Sequence, residues 1–288
     1  MCYRYLKRYT GPVRACILDW SGTTADRYVI APAVVFREVF EKFGVPISMP
    51  EARLPMGLRK DLHIKAITKI PEVRQRWFDK YKAYPTQKDV DKMFKDFVPM
   101  QLDCLRKYTT LLPGAADTVK KLQNEYNIKI GSTTGFTKEM VDVLLEDAAT
   151  QGYTPDASVA GDEVINGARP NPHMVYKNLD LLNVSPIQSV VKVDDTVGGV
   201  GEGLEAGCWA VGVSRYSNYM EIDSLEDEYK YSINELEEKN KKSRDILIKS
   251  GAHFVIDSII DLPKVVDKIN DALSEGKTPQ DVNFMSID

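Results

Sequence analysis

Val13-Arg14-Ala15-Cys16-Ile17-Leu18-Asp19 is a short, mostly apolar run that stops on a carboxylate and passes into the turn residues Ser21-Gly22-Thr23-Thr24. A brief apolar run bounded by turn signals reads as a strand buried on both faces. Comparable runs recur at Ile128-Lys129-Ile130, Val190-Val191-Lys192-Val193, Trp209-Ala210-Val211-Gly212-Val213 and Phe254-Val255-Ile256. Helical patterns lie between most of them: residues 115–125, residues 138–149 with Thr137 as N-cap, and residues 262–273 with Pro263 in the first turn. Strands that alternate with helices specify a parallel sheet covered on both faces, so the fold class is α/β.

Between the first two strands the pattern changes to helix after helix. Phe36, Val39, Phe40 and Phe43 recur at helical spacing and stop at Gly44. Further on, Thr86 with Asp89 forms a capping-box pattern, and Val90, Phe94, Phe97, Leu102 and Leu105 mark an apolar stripe interrupted by Pro99. This predicts a helical second domain inserted into the first, with residues 1–28 and 110–288 as the α/β core and 29–109 as the cap. Residues 221–249 carry dense charge of both signs, the pattern of a solvated helix, and the tail after Gly276 is expected to fray.

The charge balance, 38 Lys and Arg against 42 Asp and Glu, provides no global basic field, so neither nucleic acid nor an anionic membrane is an expected partner. Cys2, Cys16, Cys104 and Cys208 are scattered, without a Cys-x-x-Cys pair or a neighbouring His, which points to reduced thiols in the cytoplasm. The N-terminal stretch Met1-Cys2-Tyr3-Arg4-Tyr5-Leu6-Lys7-Arg8 lacks an apolar core, and no run of about eighteen apolar residues exists, so neither secretion nor a membrane span is expected.

In an open α/β sheet, ligands bind beyond the carboxyl ends of the strands. Three polar clusters fall there: Asp19, Ser132-Thr133-Thr134-Gly135, and Asp194-Asp195-Thr196. Carboxylates, hydroxyls and glycine-rich turns together suit Mg²⁺ and a phosphoryl group, because this hard cation takes oxygen ligands while hydroxyls and amides hydrogen-bond phosphate. The same residue types also cap the helices that follow, so any one cluster alone decides nothing. Arg169-Pro170-Asn171-Pro172 adds a cation suited to a phosphoryl group or to the carboxylate that receives one.

The four segments, Asp19-x-Ser21-Gly22-Thr23-Thr24, Ser132-Thr133-Thr134-Gly135, Arg169-Pro170-x-Pro172 and Asp194-Asp195-Thr196, resemble the ordered motifs of the haloacid dehalogenase superfamily. The resemblance implies a Rossmann-like core, a helical cap between the first and second motifs, and an aspartate nucleophile at Asp19. Phosphomonoesterases of that superfamily carry a second Asp two residues on, as general acid; here the position is Ser21, which has no usable proton for a poor alcohol leaving group. The cap segment Pro55-Met56-Gly57-Leu58-Arg59-Lys60-Asp61-Leu62-His63 offers other assistance. On a helix Lys60 and His63 share a face, and a desolvated lysine forms an imine with an aldehyde and makes the attached carbon an electron sink.

Together with Gly-Ala-His-Phe at 251–254, these segments resemble the phosphonatase branch, the phosphonoacetaldehyde hydrolases, over residues 13–260. The chain departs from that branch at four positions: Ser21 for Ala, Ala168 for Gly, Asp194 for Gly, and Gly199 for a further Asp. The resemblance implies Mg²⁺-dependent hydrolysis of the carbon–phosphorus bond of phosphonoacetaldehyde to acetaldehyde and phosphate. Asp19 would be nucleophile and, with the main-chain carbonyl of Ser21 and the carboxylate of Asp195, a metal ligand. Thr133 and Arg169 would hold the phosphoryl group, Lys60 would form the imine, His63 and Met56 would line the cap side, and Gly22 would admit the phosphoryl oxygens to the backbone. A homodimer through the caps is also implied. The alternatives are another phosphatase or phosphotransferase of the superfamily acting on a small phosphorylated metabolite, against which Lys60 argues, and a catalytically silent binding protein.

Overall fold

The computed structural model of the chain describes residues 8–167 and 169–287, so the readings made for residues 1–7, including Cys2, and for Ala168 lie outside the described residues. Among these, six parallel strands form one sheet: β1 (Ala15–Leu18), β2 (Lys129–Thr134), β3 (Ala157–Ala160), β4 (Val190–Asp194), β5 (Trp209–Val213) and β6 (Phe254–Ile256). Their order is β3-β2-β1-β4-β5-β6, so the winding reverses at β1 and leaves a crevice at its carboxyl end. Leu18 pairs with Ser132 on one side and Val193 on the other, which brings the residues after β1, β2 and β4 out side by side. Alternation along β1 serves both layers: Cys16 and Leu18 pack with Ile130, Val191 and Val266, while Ala15 and Ile17 pack with Val175, Leu182 and Cys208.

Among the described residues six α-helices separate β1 from β2, and the first five make up the inserted stretch: α1 (Ile30–Lys42), α2 (Met49–Arg53), α3 (Lys60–Ile67), α4 (Pro71–Tyr81) and α5 (Gln87–Leu105). Phe36 of α1 stacks on Phe97 of α5 and on the His63 ring of α3, with ring centroids 4.6 and 3.8 Å apart, so these three helices share one apolar seam. The remaining helices are α6 (Ala115–Asn124), α7 (Lys138–Thr150), α8 (His173–Leu182), α9 (Val197–Ala206), α10 (Leu225–Glu228), α11 (Ile233–Lys249) and α12 (Leu262–Ser274).

Several expectations need correction. β3 escaped the sequence reading because Ala157-Ser158-Val159-Ala160, at the sheet edge, contains no run of large apolar residues. α5 continues through Pro99, which sits on the exposed side where its missing N–H matters least. Thr137 precedes α7 but its hydroxyl makes no cap bond; the Lys138 amide donates to Asp162 instead. The charged stretch 221–249 is partly interior, with Asn240, Ser243 and Leu247 of α11 buried. The tail is pinned rather than frayed: His253 Nε2 donates to the Pro279 carbonyl at 2.9 Å, Met285 N to the His253 carbonyl at 2.7 Å, and Arg8 to Asp281 at 2.9 Å. Among the described residues Cys16, Cys104 and Cys208 are unpaired thiols, and no helix is long and apolar enough to cross a membrane.

Candidate active site

Asp19 leaves the central strand with its amide bonded to the Val193 carbonyl at 2.9 Å, and its carboxylate is buried beside the ends of β2 and β4. Arg169, arriving ahead of α8, donates to Asp19 Oδ1 at 2.6 Å and to Thr133 Oγ1 at 2.9 Å through Nη2. Its Nη1 lies 3.3 Å from Asp194 Oδ2, and its Nε donates to Glu202 Oε2 at 3.0 Å. The buried Lys192 ammonium meets Asp194 Oδ2 at 2.7 Å and Glu202 Oε2 at 3.6 Å. Four guanidinium contacts fix the Arg169 fork in one plane, a degree of orientation that a lysine cannot give. Lys192 and Glu202 were not singled out from sequence. A lysine inside the run Val190-Val191-Lys192-Val193 was a visible signal, whereas Glu202 of α9 had none, since its partner Arg169 lies 33 residues away.

Asp19, Asp194 and Asp195 each present an oxygen within 4.8 Å of the others. Burial, then the Asp194 charge, pushes Asp19 up to about 6. Burial together with its two acidic neighbours raises Asp195 well above the usual carboxylate range. Burial would raise Asp194 as well, but Arg169 and Lys192 hold it below that range. The hydrogen-bond capacity of the three differs. Asp194 Oδ1 takes the Thr196 amide and hydroxyl, and Oδ2 takes Lys192, so both oxygens are engaged. Asp195 Oδ2 accepts from the Asn218 amide at 2.8 Å, while its Oδ1 is buried with no partner. A crowded oxygen-only donor set with an orphaned carboxylate oxygen fits a hard divalent cation such as Mg²⁺.

The inserted helices close over this network. Lys60, first residue of α3, is buried with its Nζ 4.5 Å from the Phe136 ring centre and 5.8 Å from that of Phe36. Burial lowers its ammonium to about 8, against the pull of Asp19. One turn on, His63 is wholly buried. A carbonyl can only accept, so the 2.8 Å contact between His63 Nε2 and the Ala52 carbonyl puts the ring proton on Nε2 and leaves Nδ1 a bare acceptor without a partner. Burial and the Lys60 charge hold this ring neutral.

Asp19, Ser21, Met56, Lys60, Arg169 and Asp195 line one cavity of about 20 Å³, room for about one water, together with Val29, Thr134, Phe136 and Thr196. Gly22, Thr133 and His63 stand one layer behind it. A Cβ on Gly22, whose φ is +80°, would lie 2.6 Å from the Asp195 carboxylate, so the glycine makes room for that side chain. The Thr133 hydroxyl is spent on Arg169 and Glu202. Here an amine and a carboxylate from different parts of the chain face one small buried space, an arrangement suited to acting on both ends of one small molecule.

Residues 16–213 match the model of the haloacid dehalogenase-like hydrolases. The chain is 38% identical over 287 residues to a phosphonoacetaldehyde hydrolase of Hahella chejuensis, covering all of this chain and 97% of the relative. It is 41% identical over 257 residues to a phosphonoacetaldehyde hydrolase of Bacillus cytotoxicus, covering 89% and 96%. A crystal structure described as a phosphonoacetaldehyde hydrolase-like protein from Oleispira antarctica superposes with a TM-score of 0.91 at 35% identity, covering 97% of this chain and all of that one.

Proposed function

The chain is a hydrolase that belongs to the haloacid dehalogenase-like family, in its phosphonoacetaldehyde hydrolase branch, and we propose that it cleaves the carbon–phosphorus bond of phosphonoacetaldehyde to give acetaldehyde and phosphate. The observation that carries this reading is the meeting of Lys60 and Asp19 in the lining of one pocket. A carbanion is too poor a leaving group for direct attack at phosphorus, so the carbon must first become an electron sink.

The steps balance without an outside oxidant or reductant. Lys60, its ammonium lowered to about 8 by burial, passes its proton to water and attacks the aldehyde carbon as the free amine; loss of water and return of that proton leave a protonated imine. An Asp19 oxygen then attacks phosphorus, and the carbon–phosphorus bond breaks with its electron pair passing into the imine as an enamine. Protonation at carbon and hydrolysis release acetaldehyde and free Lys60. Water cleaves the aspartyl phosphate to phosphate and restores Asp19. Arg169, steadied by the Thr133 hydroxyl, holds the phosphoryl oxygens, and Met56 closes the cap side. Asp19, the Ser21 carbonyl and Asp195 would hold Mg²⁺, which when bound offsets negative charge between nucleophile and phosphoryl group. Residues 29–109 act as a mobile cap on the core formed by 1–28 and 110–288, and the active unit is a cytoplasmic homodimer joined through the caps.

Acetaldehyde release from phosphonoacetaldehyde, with borohydride trapping, tests the whole reading. Release is expected, with inactivation by borohydride only in the presence of substrate and a two-carbon adduct on Lys60. Lys60→Arg should lower turnover at least a thousandfold, the scale of losing a covalent group, because guanidinium does not form the imine. Hydrolysis of a sugar phosphate without acetaldehyde release, or an adduct on another lysine, would refute it.

A further inference from the structure

The loop between α2 and α3 descends onto the sheet's carboxyl edge against glycines, and those glycines are not equivalent. A Cβ on Gly135, between β2 and α7, would lie 2.5 Å from the Leu58 carbonyl oxygen and 3.1 Å from its carbon, with the Arg59 amide next at 3.4 Å. These are its three nearest neighbours, and all belong to the descending loop. A Cβ on Gly161 would meet the flexible Arg59 Cγ at 3.2 Å and the Thr134 carbonyl oxygen of the core at 3.3 Å, and one on Gly198 would find nothing nearer than 3.8 Å. None of the three has a positive φ, so each backbone would accept alanine, and at Gly135 the closest obstacle is the backbone of the loop that ends in Lys60.

We propose that Gly135 is a positioning residue: the seat on which the Leu58 carbonyl rests, and the stop that sets how deeply Lys60 descends toward Asp19. The fixed part of the molecule leaves room for a methyl at this position, and only the closed loop needs it bare. Relieving a 2.5 Å contact to the 3.4 Å of ordinary packing lifts the loop by about 1 Å, and a displacement of that size at reacting groups costs on the order of a hundredfold in rate. Lys60, two residues from the Leu58 carbonyl, moves with it. The proposal rests on the pairing of Lys60 with Asp19 in one reaction, and it adds the residue that sets their separation.

The test is a graded series, Gly135→Ala, Gly161→Ala and Gly198→Ala, read in two ways. The first is the rate at which trinitrobenzenesulfonate modifies the Lys60 amine, mapped by peptide mass, since Lys60 is only 5% exposed when the loop is seated. The second is kcat/KM for phosphonoacetaldehyde. Gly135→Ala is expected to raise Lys60 labelling roughly tenfold, as the open population grows, and to lower kcat/KM about a hundredfold. Gly161→Ala should give a small fraction of both effects and Gly198→Ala neither. Unchanged labelling in Gly135→Ala overturns the proposal, as does failure of that variant to fold, because the core has space for the methyl. If the parent turns over no phosphonoacetaldehyde, the labelling series still decides the seat; if the parent turns over and labelling is flat, the seat alone is wrong.

Discussion

At Gly199 the space that a side chain would claim already holds a carboxylate: a Cβ there would lie 1.8 Å from Asp194 Cγ. The two positions are therefore one unit, a single carboxylate rooted on the strand end rather than on α9. That carboxylate neutralises Lys192 and steadies Arg169, and removing one member of a buried charge network costs about 3–5 kcal/mol. Asp194→Gly and Gly199→Asp are each expected to destabilise on that scale, the first by stranding Lys192 and the second by forcing two acids into one site. The double exchange should lose less than either, because a carboxylate from position 199 enters the space that Asp194 vacates. Urea unfolding of the four proteins decides it; losses that simply add would show the two sites to be independent. From sequence, Asp19, Lys60, Arg169 and Asp195 were legible because each ends a strand or sits in a distinctive segment. The exclusion between Asp194 and Gly199 was not, since it depends on a distance across a turn.

The segment that leaves β1 for α1 shows what the residue types concealed. Asp26, Tyr28 and Val29 have φ values of 50°, 67° and 56°, and left-handed backbone at a β-branched residue is a true outlier. Without a glycine, residues 25–31 gave no sequence sign of this turn, although the parallel sheet and the inserted helices on either side of it were readable from periodicity. Tertiary bonds hold it: Tyr28 N donates to the Tyr216 carbonyl, Arg53 Nη1 to the Tyr28 carbonyl at 2.7 Å, and the Ile30 and Ala31 amides to Asp26 Oδ1. Asp26 thus caps the first inserted helix while its other oxygen is buried without a partner, and burial pushes it up to about 6 from 3.8. The native state therefore binds the extra proton between those values, so this group's contribution to stability falls as pH rises from about 4 to about 6, and the whole penalty is present above that. Asp26→Asn keeps the Oδ1 acceptor and removes the charge. It is expected to be more stable than the parent at pH 7, by at most about 3 kcal/mol, with the difference closing by pH 4. A difference that does not change with pH, or a variant weaker at pH 7, would show that the carboxylate itself is needed at the turn.

Over the whole molecule, the sheet gathers charge that the chain alone does not balance. Asp19, Asp194, Asp195 and Glu202 converge on Arg169 and Lys192, and the covering helices add Lys60 to the described lining of the pocket. Two of the four carboxylates answer by rising toward the neutral form. A cation that binds the folded chain and not the unfolded one relieves that repulsion and adds stability by mass action, about 2.7 kcal/mol at a hundredfold excess over Kd, or roughly 5 °C or more in Tm for a chain of this size. Mg²⁺ should therefore raise Tm at pH 7.5. At pH 5 the rise should shrink, because protons compete for Asp19 below about 6 and also for Asp195, which burial and its acidic neighbours raise. Asp195→Asn separates the cation from general salt effects, since it removes a buried charge that is repelled by its neighbours and one of the oxygens suited to the metal. It should melt no lower than the parent in chelator, yet gain little from Mg²⁺. Equal gains in parent and variant, or a gain that grows toward pH 5, would place the cation elsewhere on the molecule and leave the acidic cluster with a purely electrostatic part in holding Arg169 against Asp19.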